Sequence, residues 1–235
     1  MTNRFLLSCS LAALASTAMA ADFFSTAEPA SLFDIAVRFG LNTSNRTIAK
    51  KTFDNWNCNS WGTGIDLGAT ADINFRDWFS VQPGFFFQSR SGNYAYSTTI
   101  IESEDVISSL DQFGHIRSYN FTIPVLAAAH FNLTDDVRWN VEFGPYIQFG
   151  LHNSIDKNLL FLDGNIPHFP YESPDQWEHA KMRSFDFGFK FGTGLTILKH
   201  YDVAVHYEAG ALDVWKISKL GGRNKAWIFS VGYKF

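Results

Sequence analysis

Charged side chains recur at every second position in segments that are otherwise rich in large apolar residues. They are the acidic Asp34, Asp66, Asp72, Glu142, Asp186, Asp202 and Glu208, and the basic Arg38, Arg90, Arg138, Lys190 and Lys234. Alternate residues of a β-strand lie on one face, so these side chains are predicted to share the inner face of a sheet. Charges of both signs in such an interior must pair, because an unpaired buried charge costs several kcal/mol. We therefore expect a salt-bridged network that includes Asp34, Arg38, Asp66, Arg138, Glu142, Asp186, Lys190 and Glu208.

A second group of reactive residue types lies in the segment 151–181, which lacks this alternation. It comprises His152, His168, Glu172, Ser173, Asp175, Glu178 and His179. Their spacing matches neither the helical HExxH pattern nor paired metal ligands, and Ser173 has no identifiable oxyanion partner. We predict an ordered surface loop without catalytic residues, metal or cofactor. A metal site that uses His168 and His179 is the alternative.

Alternation of apolar and polar residues identifies the elements that position the charged residues. It recurs in about eight segments, at 32–41, 61–74, 78–90, 117–131, 137–151, 185–197, 201–209 and 227–235. Short turns at 76–77, 132–136 and 199–200 alternate with longer connections at 42–60, 91–116, 151–181 and 214–225. This asymmetry is typical of transmembrane barrels with short periplasmic turns and long external loops. The sequence thus predicts an all-β fold, an eight-stranded antiparallel up-and-down transmembrane β-barrel.

The composition indicates which face of the barrel is apolar. Aromatic residues make up 17% of the chain, with 24 Phe, and the face opposite the charges is almost uncharged. An outward apolar band with aromatic girdles uses such residues, whereas a soluble barrel would turn its apolar face inward and leave a glycine-rich face as its surface. A secreted soluble ligand-binding barrel is the alternative.

The first residues resemble an export signal. Arg4 precedes an apolar run at 5–15, and Ala18-Met19-Ala20 has the small-x-small pattern of a cleavage site. We expect a signal peptide at 1–20, a short periplasmic segment at 21–31 and the barrel domain at 32–235. Removal of 1–20 leaves 18 basic and 23 acidic residues, which argues against nucleic acid as a partner. Cys58 then stands alone, and we expect a loop cysteine without a role; a reactive or intermolecular thiol is the alternative.

Several short motifs, spread over about 30–235, resemble the PorT-like family of outer-membrane β-barrel domain proteins. They are GIDLGA at 64–69, FSVQPGF at 79–85, FTIPVL at 121–126, FGPY at 143–146, FGFKFGTGL at 187–195 and the terminal Phe235. The resemblance implies an eight-stranded barrel in the bacterial outer membrane. The last strand also looks like the signal read by the barrel-assembly machinery, through Trp227, Phe229, Val231, Tyr233 and Phe235.

These features predict a non-enzymatic outer-membrane protein whose partners are outer-membrane lipid and, during insertion, the barrel-assembly machinery. Its long loops are expected to contact an external ligand or an unidentified protein, because aromatic-rich loops on a rigid scaffold suit such contacts. One alternative is a narrow, porin-like channel for ions or small solutes, lined by Arg38, Arg138, Glu142 and Lys190. Another is a membrane-embedded enzyme with a serine, histidine or carboxylate cluster at the outer rim.

Overall fold

The chain folds into long antiparallel strands joined alternately by short and long connections. The computed structural model describes residues 23–48, 56–103, 106–161, 171–172, 183–213 and 222–235. In this part of the chain the strands are β1 (Phe33–Ile48), β2 (Trp56–Arg76), β3 (Phe79–Ser103), β4 (Val106–Asn132), β5 (Val137–Phe161), β6 (Tyr171–Glu172), β7 (Phe185–Ile197), β8 (Tyr201–Gly210) and β9 (Gly222–Lys234). The two-residue β6 only adds to the end of β5, through Asp156↔Glu172 and Lys157↔Tyr171.

The other eight strands form a closed barrel. Each pairs with its neighbours along the chain, and the ring closes where β1 pairs with β9, from Ala36↔Lys234 to Ile48↔Gly222. All pairings are antiparallel. Closure leaves no free sheet edge around the ring, which a barrel in lipid requires because no water is present to satisfy an unpaired backbone group. The predicted eight-stranded up-and-down barrel is confirmed.

The two faces of the wall differ sharply in polarity. On β1, Phe39 and Leu41 point outward and are 47% and 61% exposed, whereas Arg38 between its apolar neighbours is 4% exposed. The same alternation along β7 and β8 places phenylalanine, valine and tyrosine outside. The alternative with the apolar face inward is therefore wrong. No helix in the described part of the chain is long and apolar enough to cross a membrane.

The short turns lie at one end of the barrel, at the three predicted places. They comprise residues 77–78 between β2 and β3, 133–136 between β4 and β5, and 198–200 between β7 and β8. In the last turn Leu198 and Lys199 have positive φ angles of 53° and 66°, as in a type I′ hairpin, and the amide of His200 donates to the carbonyl of Ile197 at 3.2 Å. By the usual asymmetry this end faces the periplasm.

The connections at the opposite end are shorter than predicted, because several strands continue well beyond the apolar band. The predicted loop 91–116 is largely a β3–β4 hairpin, paired from Ser91↔Arg117 to Ser103↔Val106. β5 follows β4 up to Leu110↔Phe161, so part of the predicted loop 151–181 is strand. β1 likewise continues to Ile48, and β9 begins at Gly222 instead of 227. The regular alternation of apolar and polar residues in the sequence ends before these extensions, so alternation does not reveal them.

The segment before β1 lies across the periplasmic turns. The ring of Phe23 stacks on Phe131 with 5.2 Å between centroids, and that of Phe24 lies 5.1 Å from Trp78. The amide of Asp77 donates to the carbonyl of Ala27 at 3.1 Å. The described start of the chain is thus attached to the rim of the barrel.

Candidate functional site

Arg38, Glu142, Asp202 and His206 form a buried charge cluster, here called the lower cluster. The guanidinium of Arg38 donates to the Glu142 carboxylate at 3.3 and 3.4 Å and to Asp202 Oδ2 at 3.3 Å. His206 Nε2 lies 2.7 Å from Glu142 Oε2. The four residues come from β1, β5 and β8, so the cluster ties together opposite parts of the wall.

Two glycines and an alanine on neighbouring strands make room for these groups. Gly192 of β7 is the register partner of His206, and a Cβ at this glycine would overlap the imidazole ring. Gly232 of β9 similarly faces the side chain of Arg38. A Cβ added at this glycine would lie only 2.9 Å from Arg38 Cγ. Ala36, fully buried on β1, leaves space on the same side. The small residues of the inner face are thus matched to the long charged ones.

Lys234 joins the first and last strands at the point where the barrel closes. Its ammonium lies 3.1 Å from Asp34 Oδ2 and 2.8 Å from Asp72 Oδ2. Asn74 also donates to Asp34 Oδ2, at 2.8 Å. These three charged residues, Asp34, Asp72 and Lys234, are called the seam cluster.

An upper cluster lies further from the short turns and consists of Asp66, Gln88, Arg90, Lys190 and Glu208. Both Arg90 and Lys190 pair with Glu208, the latter at 3.1 Å. Gln88 donates to Asp66 Oδ2 at 2.6 Å, and its own carbonyl oxygen accepts from Arg90 and Thr122 at 2.7 and 2.8 Å. The ammonium of Lys190 also lies 4.9 Å from the ring centroid of Phe86. With Tyr146, Leu126 and Ile228 buried in the same interior, this part of the lumen is filled by side chains.

Below the lower cluster, a cavity of about 370 Å³ lies at the end with the short turns. We call it the vestibule. Arg38, Asp72, Gln82, Asp202 and Lys234 line it deep in the barrel, and residues of the three turns line its rim. Pro29, Ala30 and Ser31 of the N-terminal segment form part of its wall. The vestibule is therefore polar and is bounded on its inner side by the paired charges.

A chain of hydrogen bonds runs through the vestibule wall. Ser80 Oγ lies 2.8 Å from His130 Nε2, and His130 Nδ1 lies 2.7 Å from Asn140 Oδ1. Asn140 Nδ2 then donates to Thr196 Oγ1 at 2.7 Å, and Thr196 donates to Asp202 at 2.6 Å. Because the oxygen of Asn140 faces His130, Nδ1 donates this bond, and in the corresponding neutral tautomer Nε2 accepts from Ser80. The order resembles a serine–histidine–amide triad. Ser80, however, has no exposed surface.

The predicted network residues separate into groups. Arg38 and Glu142 meet in the lower cluster, Asp34 lies in the seam cluster, and Asp66, Lys190 and Glu208 lie in the upper cluster. The described residues that donate hydrogen bonds to Asp186 include no cation. They are Asn224, at 2.8 Å, and the backbone amide of Leu212, at 3.3 Å.

Arg138 departs from its predicted place in the buried network. It lies at the periplasmic rim, 36% exposed along its side chain, and pairs with Asp77 of the first turn at 2.7 Å. It is the second residue of β5, so its long side chain reaches the turn instead of the lumen. Burial raises the pKa of Asp77, but the Arg138 charge and the hydrogen bonds from Arg138, Ser25 and Asn132 outweigh it, so the pKa is lowered.

Sequence reasoning overlooked Gln88 and His130, which connect many of the buried groups. Both have the inward parity of their strands, and that parity was the one available signal. The Ala-rich neighbourhood of His130 and the neutral charge of Gln88 gave no indication of a role.

The proposed outer-rim residues do not converge where the structure describes them. His152 is exposed on the outer side of β5, with its ring centroid 6.4 Å from that of Tyr119, whereas His206 is buried in the lumen. Glu172 belongs to β6. His168, Ser173, Asp175, Glu178 and His179 lie outside the described residues. In the described part of the chain, no three His, Cys, Asp or Glu side chains are grouped so that they could hold a metal ion.

The residues of the predicted assembly signal lie on the outer face of β9 and at its end. Trp227, Phe229, Val231, Tyr233 and Phe235 are all exposed, and Tyr233 packs on Tyr201 and His200. Their recognition by the assembly machinery stays a prediction. Cys58 falls in β2.

Comparisons with solved structures give similar barrels at low sequence identity. Ail of Yersinia pestis, solved in complex with the heparin analogue sucrose octasulfate, is 14% identical, with 87% of this chain and 100% of that chain covered and a TM-score of 0.41. OprG of Pseudomonas aeruginosa is 14% identical, with 90% and 98% covered and a TM-score of 0.42. Neisserial surface protein A is 13% identical, with 88% and 100% covered and a TM-score of 0.41. A comparison with curated proteins gives no match.

A family model described as the outer membrane protein beta-barrel domain matches residues 20–213, which is most of the chain. The closed eight-stranded ring and its apolar outer face agree with that match. The chain belongs to the outer membrane protein beta-barrel domain family and is located in the bacterial outer membrane.

Proposed function

We propose that this outer-membrane barrel is a non-enzymatic surface protein whose extended external hairpins contact an extracellular ligand or protein. The observation that carries the proposal is a contrast between the two parts of the fold. The lumen is occupied by paired charges, whereas β3, β4 and β5 continue as a paired sheet beyond the apolar band.

The filled lumen argues against a channel as the main role. An eight-stranded barrel is just wide enough for its own side chains, and here the lower and upper clusters cross it. Arg38, Glu142, Lys190 and Glu208 are nearly inaccessible to solvent. Since charged groups so placed are fixed by their partners, an ion has no continuous wet path through them.

The external extension provides a rigid surface for contact. β3 and β4 stay in register from Ser91↔Arg117 to Ile101↔Ile107, and β5 joins them as a third strand. At about 3.3 Å per residue, a dozen residues project roughly 40 Å along the strand. A preformed sheet loses less conformational entropy on binding than a flexible loop does.

Photo-crosslinking on intact cells tests this role. A photoreactive amino acid is placed at Thr98, Ser109 or Lys157 in the external extension, and at Asp135 in a periplasmic turn as the matched control. We expect adducts with extracellular macromolecules from the three external positions and none from Asp135. Equal yields at all four positions, or no external adduct at any of them, would contradict the proposal.

The absence of catalysis is part of the same proposal. The hydrogen-bonded Ser80, His130 and Asn140 supply a base and its orienting group, yet Ser80 does not line the vestibule and is fully buried. A nucleophile must reach the substrate, so this arrangement is better interpreted as part of the wall. A fluorophosphonate probe should leave Ser80 unlabelled, as followed by mass spectrometry.

We also infer that residues 1–20 are removed as a signal peptide, that 21–31 form a short periplasmic segment before the barrel, and that the protein is PorT-like. The assignment of the first two rests on Ala18-Met19-Ala20, and that of the third on the motifs quoted above. The intact mass of the protein purified from outer membranes should correspond to a chain that begins at Ala21. A mass that includes the first 20 residues would contradict cleavage.

A further inference from the structure

Two residues that line the vestibule each have a buried acceptor atom without a hydrogen-bond partner among the described residues. These atoms are Oδ1 of Asp72 and Oε1 of Gln82. The two residues are only 3% and 2% exposed. Since Ile73 pairs with Val81, Asp72 and Gln82 face each other across β2 and β3 on the inner side. Oγ1 of Thr70, on the next inward position of β2, is unpartnered as well. Buried acceptors are normally satisfied, so this patch lacks a donor.

The charge balance of the same region is also incomplete. Deep in the cavity lining, three carboxylates, Asp34, Asp72 and Asp202, stand against two permanent cations, Arg38 and Lys234, while Glu142 lies behind them in the lower cluster. Even a protonated His206 beside Glu142 leaves an excess of negative charge. The remaining charged groups of the cavity lining cancel, with Arg76, Arg138 and Lys199 opposite Asp77, Asp135 and Asp136. The vestibule therefore favours a cation.

The size of the cavity indicates what kind of cation it takes. A volume of about 370 Å³ suits a small organic molecule and greatly exceeds the volume of a bare ion. The unpartnered acceptors of the lining residues belong to one carboxylate and one amide, and a metal ion of high charge prefers more carboxylates. A primary ammonium group has three N–H donors and can therefore donate to both of these acceptors.

We propose that the vestibule is a binding site for a small organic cation with a primary ammonium group, held by Asp72 and Gln82 and entering from the periplasmic end. This role is independent of external contacts, because it uses the opposite end of the barrel. Arg38 Nε, a further unpartnered group in the lining, offers a donor to an oxygen of the same ligand.

Isothermal titration calorimetry with the whole folded protein in detergent tests the proposal. The probe is 1,4-diaminobutane, and 1,4-butanediol, which has the same chain length without a charge, is the control ligand. We expect saturable binding of the diamine only. Gln82→Met removes the amide acceptor without disturbing Lys234 and should weaken binding about tenfold, whereas Gln82→Glu adds a carboxylate and should strengthen it about tenfold.

Folding of each variant is verified by its heat-dependent mobility in SDS gels. Gln88→Met, which alters a buried glutamine of the upper cluster, serves as a control variant and should leave diamine binding unchanged. Absence of diamine binding, equal binding of diamine and diol, or an identical diamine affinity in the wild type and both Gln82 variants would overturn the proposal. If Gln82→Glu fails to fold, Gln82→Met and Asp72→Asn decide the question, since both should bind more weakly.

Discussion

Arg38 provides the positive charge for two carboxylates, Glu142 on the opposite side of the lumen and Asp202 two strands away. In the interior each of these ions has lost its hydration, so the pairs offset a large desolvation cost more than they add stability. Removal of one partner should therefore be much more harmful than the modest strength of a surface ion pair suggests.

Arg38→Met keeps a long side chain but leaves Glu142 and Asp202 without their cation. We expect a loss of about 3–5 kcal/mol in the free energy of unfolding. The urea midpoint of the folded, heat-modifiable form measures it. Arg76→Met, at the rim, is the matched control and should change the free energy by less than about 0.5 kcal/mol. Equal effects of the two changes would refute a buried network as the cause.

The Asp77–Arg138 pair at the rim should make stability depend on pH in the acidic range. The pKa of Asp77 is lowered in the folded protein, because the Arg138 charge and hydrogen bonds outweigh burial. The stabilisation is complete above the unfolded pKa of about 3.9 and is lost as the pH falls through the lower folded value.

Asp77→Asn should thus lower the unfolding free energy near neutral pH, by less than about 1 kcal/mol since the pair is partly exposed. The difference from wild type should shrink as the pH falls below the unfolded pKa, as measured by urea titrations at a series of pH values. Asp135→Asn, in the neighbouring turn, is the control. A difference that stays constant with pH would show that Asp77 acts only through neutral hydrogen bonding.

Strand parity in the sequence predicted which charged residues face inward, but it did not predict their partners. Glu142 meets Arg38 of β1, and Glu208 meets Arg90 of β3, across the lumen instead of along neighbouring strands. Such pairs depend on the stagger between strands, which no local pattern encodes. Arg138 shows why parity alone does not place a side chain. It has the inward parity of β5, but it lies near the end of the strand, and its side chain therefore reaches the rim.

At the level of elements, alternation identified the strand segments that carry the apolar band and missed their extensions. On β1 the alternation arises because the outer face, which is in contact with lipid, requires apolar side chains. These are Phe33, Ile35, Val37 and Phe39. The β3–β4 hairpin beyond Arg90 is held by backbone pairing, which by itself leaves no such pattern in the sequence.

The turn 198–200 has residues that its conformation disfavours. Leu198 and Lys199 both adopt positive φ, which costs a residue with a Cβ roughly 1–2 kcal/mol. Lys199→Gly should therefore raise the unfolding free energy by about 1 kcal/mol, partly offset by the greater freedom of glycine when unfolded. Lys199→Ala, which removes the long side chain but retains the Cβ, should give no comparable gain. The urea midpoints compare them, and a gain shared by both variants would point to the charge of Lys199.

The external hairpin should be separable from the barrel. Asn93 and His115 are register partners joined by a 2.7 Å hydrogen bond, so the chain can be reconnected there through an Asn-Gly turn that replaces 94–114. We expect this variant to retain heat-modifiable mobility and to lose the crosslink from Lys157, the external crosslinking position that lies outside the replaced segment. A replacement with scrambled residues 94–114 controls for length. Failure of the shortened barrel to fold would mean that the extension is needed for assembly.

On the scale of the whole molecule, the two charge clusters should close the barrel to ions. The wild-type protein in planar bilayers is expected to show no conductance steps, because the charges of the lower and upper clusters are buried and paired. Arg38→Ala combined with Glu142→Ala removes the centre of the lower cluster but leaves the upper cluster intact, so this variant should also stay silent. Steps in the wild type would contradict the closed lumen.

The seam between β1 and β9 has a consequence for the order of folding events. The other seven pairings of the ring join strands that follow one another along the chain, so each can form as a local hairpin soon after its residues meet. The seam instead requires encounter of segments almost 200 residues apart, Ala36 with Lys234. Because loop-closure entropy delays such contacts, we expect ring closure to be the slow, late step, completed when Lys234 forms its bonds to Asp34 and Asp72.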